Sequence, residues 1–278
     1  MLKIKRTKIN LGLLKPFSVL HISDTHFTLA DSRDNERKIS LSEVRKKEFT
    51  VPPEEKIRYA EDFADGNGLK IIHTGDLIDF VSEANLERAK RFIYRNDVLF
   101  VAGNHEFSLY VGEEFEDEAY RNRSLEHVQR AFKDNIRFNA RQLGGVNFVG
   151  IDNGYYRFEQ WQLAALKRQV GIGLPIVLFV HNPLFEPKLF EEDLAKTKGF
   201  CANVVGTPEE YLKLNNEARQ IVLRPDEATL ETYGYIKSQP LIKAVLAGHL
   251  HYDFESMLTD KLPQYVTGIT TMRCIDFS

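Results

Sequence analysis

Residues 17–26 read FSVLHISDTH, an apolar run from Phe17 to Ser23 that opens directly onto Asp24-Thr25-His26. The same juxtaposition recurs along the chain. Leu69 to Thr74 is followed by Gly75-Asp76-Leu77-Ile78-Asp79, and Val98 to Ala102 by Gly103-Asn104-His105-Glu106. Pro175 to His181 runs into Asn182-Pro183, and Ile242 to Ala247 into Gly248-His249-Leu250-His251. Several of these runs are apolar almost throughout, as expected of strands covered on both faces. Ligands of open α/β sheets bind beyond the carboxyl ends of the strands, so loops of this kind predict a single crevice.

Working outward, Val146 to Asp152 and Pro263 to Ile269 add two more strands, and the alternation at Leu2 and Ile4 predicts an edge strand entering the fold. Between the strands, Pro53 to Ala64 carries Ile57, Ala60 and Ala64 at helical spacing and is expected to stop at Gly66. Glu83 to Arg95, Glu118 to Phe132 and Phe158 to Val170 repeat the helical pattern. This alternation predicts an α/β or α+β layered sandwich forming a single domain over residues 1–278. Two stretches exceed a tight connection and read as insertions: a highly charged one at about 27–51 and a longer one at about 184–239. The second contains Thr207-Pro208-Glu209-Glu210, which reads as a capping box with Thr207 at the N-cap. It is expected to act as a lid. Glu113 to Glu118 reads as a short acidic loop.

Composition narrows the function classes. With 43% hydrophobic and 28% charged residues, the chain has enough apolar surface to fold, which excludes disorder as its main theme. No apolar run approaches a membrane span, and the basic start has no uninterrupted apolar core of a signal peptide. The formal net charge of −3 leaves no footprint for duplex nucleic acid. Cys201 and Cys274 match no metal or redox spacing and read as thiols in a reducing compartment, so the cytoplasm is the expected location.

The predicted crevice gathers Asp24, His26, Asp76, Asn104, His181, His249 and His251. That is more donors than one ion of ordinary coordination number uses, and it suits two ions sharing a carboxylate. Imidazole and carboxylate without thiolate favour Mn, Fe, Zn, Co or Ni.

Asp24-x-His26, Gly75-Asp76-x-x-Asp79, Gly103-Asn104-His105-Glu106, the single His181 and Gly248-His249-x-His251 occur in that order. In this set the sequence resembles the calcineurin-like metallophosphoesterase superfamily. The resemblance implies a β-sandwich of two mixed sheets flanked by helices. It implies that Asp24, His26, Asp76 and His251 bind one divalent metal, and that Asp76 bridges to a second one held with Asn104, His181 and His249. His105 would stand outside the metals and protonate the leaving oxygen, and Asp79 would pair with it. The implied reaction is hydrolysis of a P–O bond by two-metal-activated hydroxide. Four formal positive charges against Asp24, Asp76 and a hydroxide leave about +1, which attracts a phosphate ester to an otherwise acidic chain.

One branch is set aside by the residues themselves. Phosphoprotein phosphatases carry Arg-Gly after the second Asp of the Gly-Asp block, whereas Phe80-Val81 follows Asp79 here. The expected substrate is a small phosphate mono- or diester, with a nuclease or a non-catalytic metal-binding scaffold as the alternatives. Asp79 reads equally well as an exposed loop carboxylate or helix N-cap. His21 and His73, inside strands, read as sheet residues, and His127 as solvated. Asn153, Tyr155 and Tyr156 could line the crevice but read equally as an ordinary turn, and Arg33, Arg37, Lys38, Arg45, Lys46 and Lys47 could meet an anionic substrate but, among as many acids, read as a solvated face.

Overall fold

The computed structural model describes residues 2–113 and 116–278, so Glu114 and Phe115 of the acidic loop lie outside the described residues. Among the described residues eleven strands are present: β1 (Lys3–Ile9), β2 (Phe17–Ile22), β3 (Lys70–His73), β4 (Leu99–Phe100), β5 (Phe138–Leu143), β6 (Val146–Ile151), β7 (Ile176–Phe179), β8 (Ile242–Ala247), β9 (Phe254–Thr259), β10 (Leu262–Val266) and β11 (Thr271–Phe277). They form a five-stranded sheet in the order β1-β11-β2-β3-β4 and a six-stranded sheet in the order β5-β6-β7-β8-β10-β9. Both sheets are mixed. Strands β2, β3 and β4 run parallel, as do β6, β7, β8 and β10, while β11 meets β2, β5 meets β6 and β9 meets β10 antiparallel. The predicted edge strand is β1, at the outer side of the first sheet.

Strand alternation separates the core into layers. Val19, Ile72, Leu99 and Ile275 of the first sheet pack against Phe148, Val177, Phe179 and Leu246 of the second, making the sandwich interior. Leu20, Ile22 and Ile71 point to the opposite face, where Ile57, Ala60, Leu86 and Phe92 from helices Pro53–Asn67 and Glu83–Asn96 cover them. The second sheet is covered likewise, with Val149, Leu178 and Val245 packed against Leu166 of helix Gln160–Val170 and Leu189 and Phe190 of helix Pro187–Lys196. Burial on both faces explains why so many strands lack a polar alternation. The result is the expected β-sandwich of two mixed sheets flanked by helices.

Local chemistry corrects several boundaries. The helix from Pro53 runs past Gly66 and ends at Gly68, whose φ of +63° supplies the left-handed cap that closes it. The predicted helix from 118 to 132 is two short ones, Glu118–Asn122 and Leu125–Gln129, broken where the Ser124 hydroxyl donates to the Phe107 carbonyl at 3.0 Å. The capping box does not form. Thr207 donates instead to the Val204 carbonyl at 3.2 Å, and Pro208 occupies the N-cap of helix Glu209–Leu212 without a side-chain bond.

Candidate metal centre

The carboxyl ends of β2, β3, β4, β7 and β8 feed one rim, and the loops leaving them are tied to each other. Asp24 N–H donates to the Gly75 carbonyl at 3.0 Å and His26 N–H to that of Asp76 at 2.9 Å, prolonging the β2–β3 ladder beyond the strands. Gly248 N–H does the same to the His181 carbonyl at 3.0 Å. Gly75 has a φ of +92°, and a Cβ there would lie 2.6 Å from the Gly103 nitrogen. The next residues bend as sharply without being glycine: φ is +53° at Asp24, +56° at His26, +55° at Asp76, +70° at His249 and +58° at His251. Each such residue costs about 1–3 kcal/mol and persists only where the surroundings over-determine it. Five such residues gathered on one rim of polar side chains make it a candidate functional end.

All seven donors named from the sequence meet here. Asp24, His26 and His251 each offer an atom within 4.8 Å of the others, and so do Asp76, His181 and His249. Asp76 reaches both sets: its Oδ2 lies 3.2 Å from His181 Nε2 and 3.8 Å from His26 Nε2. Asn104 Oδ1 lies 3.2 Å from His181 Nε2. His251 Nε2 lies 3.1 Å from His26 Nε2 and 3.5 Å from Asp24 Oδ1. Asp24 also accepts the His249 N–H, at 3.0 and 3.1 Å.

The far nitrogens of three imidazoles are already committed. His26 Nδ1 donates to Asp79 Oδ1 at 3.0 Å, and His181 Nδ1 to the Thr74 carbonyl at 2.7 Å. His249 Nε2 lies 2.9 Å from the Tyr156 oxygen, whose hydroxyl donates to Asn203 Oδ1 at 3.2 Å. These bonds turn the second nitrogen of each ring to the crevice, where a cation can take the place of any proton it carries. Two pairs then face each other at 3.1 Å, His26 with His251 and His249 with His181. Nitrogens set that close beside carboxylates suit a cation of the nitrogen- and oxygen-binding class. The proton affinities reflect the same crowding. Burial opposes charge on His181, yet the adjacent Asp76 carboxylate pushes it up to about 10. Burial lowers His251 to about 4, and burial together with His181 holds His249 well below the ordinary value.

Around the donors stand residues with separate duties. His105 belongs to a third cluster, with an atom within 4.8 Å of those of His26 and Asp79, and its Nδ1 donates to the Asp79 backbone carbonyl at 2.7 Å. The Asp79 carboxylate is fully buried, neither exposed nor an N-cap, and Ser82 caps the following helix. Burial raises the Asp79 carboxyl, but hydrogen bonds from His26 and Arg45 hold it well below the usual range.

Four neighbours take duties that their sequence positions do not announce. Glu106 is buried and accepts the backbone N–H groups of Asp76, Leu77, Ile78 and Gly103, pinning two loops together while burial pushes its carboxyl up to about 7. Lys56 is buried beneath the first loop and donates to the Ser23 and Asp24 carbonyls, its pKa lowered by burial to about 8. Tyr156 and Asn153 are no ordinary turn: one braces His249, and the other accepts the His181 and Asn182 N–H groups at 3.1 and 2.9 Å. His21 and His73 are hydrogen-bonded inside the sheet, to Thr74 and Thr267 and to Thr25.

Packing at the rim leaves no room for an extra methyl group at Gly248, where a Cβ would lie 1.8 Å from Ser23 Oγ and 2.6 Å from Asp24 Oδ2. Gly248→Ala is therefore expected to destabilise the fold by about 1–3 kcal/mol and to displace Asp24. Urea unfolding combined with metal retention after desalting checks this; unchanged stability and unchanged retention would refute the close packing.

The family model described as calcineurin-like phosphoesterase matches residues 17–253. Among solved structures, a dimetal phosphatase from Danio rerio is 13% identical, with 91% of this chain and 88% of that one covered and a TM-score of 0.48. A calcineurin-like phosphoesterase, YfkN from Bacillus subtilis, is 9% identical over 92% of this chain and 82% of that one, at a TM-score of 0.43. A 5'-nucleotidase from Candida albicans is 14% identical over 91% of this chain at a TM-score of 0.41; this chain spans 45% of its length. A search of curated proteins finds no match. Among the described residues no helix is long and apolar enough to cross a membrane.

Proposed function

The chain belongs to the calcineurin-like phosphoesterase family of metal-dependent phosphoric ester hydrolases, and from that premise we propose that it hydrolyses a small phosphate mono- or diester at the rim centred on Asp76. One observation carries the reading: Asp76 Oδ2 faces both donor sets, 3.2 Å from His181 Nε2 and 3.8 Å from His26 Nε2. On this reading Asp24, His26, Asp76 and His251 hold one divalent ion, and Asp76, Asn104, His181 and His249 the other. Such a pair supplies Lewis acidity toward phosphoryl oxygens and a nucleophile at neutral pH.

The chain's own residues provide the rest. Asp79, Thr74 and Tyr156 hold three imidazoles in the tautomers that present a lone pair to the crevice. His105, with Nδ1 committed to the Asp79 carbonyl, passes a proton from Nε2 to the leaving oxygen. The protein is one domain, and its 184–239 insertion sends Asn203 and Arg219 to the Tyr156 side of the rim, where they bound the substrate entrance as a lid.

Initial rates on a chromogenic phosphodiester and its matching monoester, with manganese added and with EDTA as control, test the proposal. Manganese-dependent turnover abolished by EDTA is expected, with the diester preferred because no arginine follows Asp79 to grip a monoester dianion. Two bound ions without turnover on either ester would overturn it in favour of a non-catalytic metal-binding protein.

A further inference from the structure

The first insertion carries helix Glu36–Arg45, read from the sequence as part of a solvated, mixed-charge face. Arg45, in its last turn, does not belong to that face. Its side chain folds inward, with Nε 2.7 Å from Asp79 Oδ2 and Nη2 3.0 Å from Asp79 Oδ1. That is a two-pronged grip on a fully buried carboxylate by a side chain only 22% exposed. Four residues on, Phe49 lays its ring on that of His26, with centroids 5.1 Å apart and planes 20° apart, and the Arg45 guanidinium lies 5.4 Å from the Phe49 ring centroid. The insertion thus roofs the His26 side of the rim.

Asp79 has two tasks at once. Oδ1 accepts His26 Nδ1 at 3.0 Å, while the backbone carbonyl of the same residue accepts His105 Nδ1 at 2.7 Å. Among the described residues Arg45 is the donor to Oδ2. A planar guanidinium fixes both carboxylate oxygens in its own plane, which an ammonium cannot do. Held by Arg45 on both oxygens and by His26 on Oδ1, with His105 Nδ1 3.5 Å from Oδ1, the Asp79 carboxylate has its torsion, and with it the direction of its bond to His26, fixed in part by that grip.

We infer that Arg45 is a positioning residue: by gripping Asp79 on both oxygens, it sets the ring orientation of His26 and so makes the charged insertion a working wall of the site. This deepens the phosphoesterase reading and rests on it. The expectation follows from the general sensitivity of metal sites to the partners of their ligands, whose loss costs about 10–100-fold in affinity or activity.

The test is manganese binding by calorimetry, alongside thermal melting and initial rates, for the wild type, Arg45→Ala and Arg45→Lys. Arg45→Ala should bind one of the two ions about 10–100-fold more weakly while the other is nearly unaffected, and Arg45→Lys should recover little of the loss. Millimolar guanidinium should restore affinity and rate to Arg45→Ala but not alter the wild type. If wild type binds two ions and turns over, and Arg45→Ala matches it within twofold in both affinities, the inference fails alone. Equal loss of both ions, or restoration by lysine as complete as by guanidinium, also overturns it. A wild type that binds no divalent ion removes the phosphoesterase reading and the inference together.

Discussion

Asp76→Asn is expected to lower kcat/KM on any accepted ester by about 10²–10³-fold or more, the size of losing one preorganised charge, and to leave one tightly held ion where the wild type holds two. The substitution keeps shape and changes little else. Asp76 is buried; its Oδ1 accepts the His105 N–H at 3.0 Å and its Oδ2 faces His181 and His26. An amide can serve the first duty only by turning its NH2 toward imidazole nitrogens whose lone pairs face the crevice. Turned the other way, it sets a donor against the His105 N–H. Either orientation removes the one negative charge common to both donor sets. Metal content after desalting, set beside initial rates, is the measurement. Two ions held as tightly as in wild type would show that Asp76 does not bridge.

How much of this was legible in the sequence depended on whether a residue's role is local. The donor loops announce themselves because an apolar strand, a tight turn and a polar side chain lie within a few positions of each other, as in Gly75-Asp76 and Gly248-His249. The residues that hold those donors do not. Lys56 sits on a helix whose Ile57, Ala60 and Ala64 give the pattern, and nothing local says that its ammonium reaches Asp24. Arg45 is one base among many until the fold sets its guanidinium on Asp79. Tyr156 lies 93 positions from His249 in the chain yet touches it. Strands β5, β9 and β11 escaped for a different reason. Asn139, Arg141, Glu255, Arg273 and Asp276 interrupt their apolar character. Arg273 is tolerated there because Thr7, Thr267 and Glu255 accept its guanidinium hydrogens. Partners distant in sequence decide all of these cases, whereas strand-end chemistry is written in adjacent letters.

The two insertions reach different imidazoles of the rim. Arg45 and Phe49 stand over His26, and Asn203 and Arg219 stand beside Tyr156 and His249. The donors themselves come from strand-end loops that Glu106, Lys56 and Asn153 anchor from within the fold. Both insertions therefore reach groups that hold imidazoles of the rim, Arg45 through Asp79 and Asn203 through Tyr156.

His105→Ala is expected to separate proton transfer from metal binding. It is expected to retain both ions and to lower kcat by about 10²–10⁴-fold on an alkyl ester. The backbone N–H of residue 105, which bonds Asp76 Oδ1 at 3.0 Å, survives the substitution, so the Asp76 carboxylate keeps its partner. What is lost is an imidazole whose ring is oriented by the Asp79 carbonyl at 2.7 Å and lies edge-on to His26, with centroids 4.8 Å apart. If that ring protonates the leaving oxygen, its absence matters in proportion to how badly the leaving group needs the proton. A nitrophenolate departs as the anion and should show only a small loss, whereas an alkoxide should show nearly all of it. Rates of wild type and variant across esters of graded leaving-group acidity supply the comparison. A loss of the same size for every ester would assign His105 to binding the phosphoryl group, and activity within threefold of wild type on the alkyl ester would remove it from the chemistry.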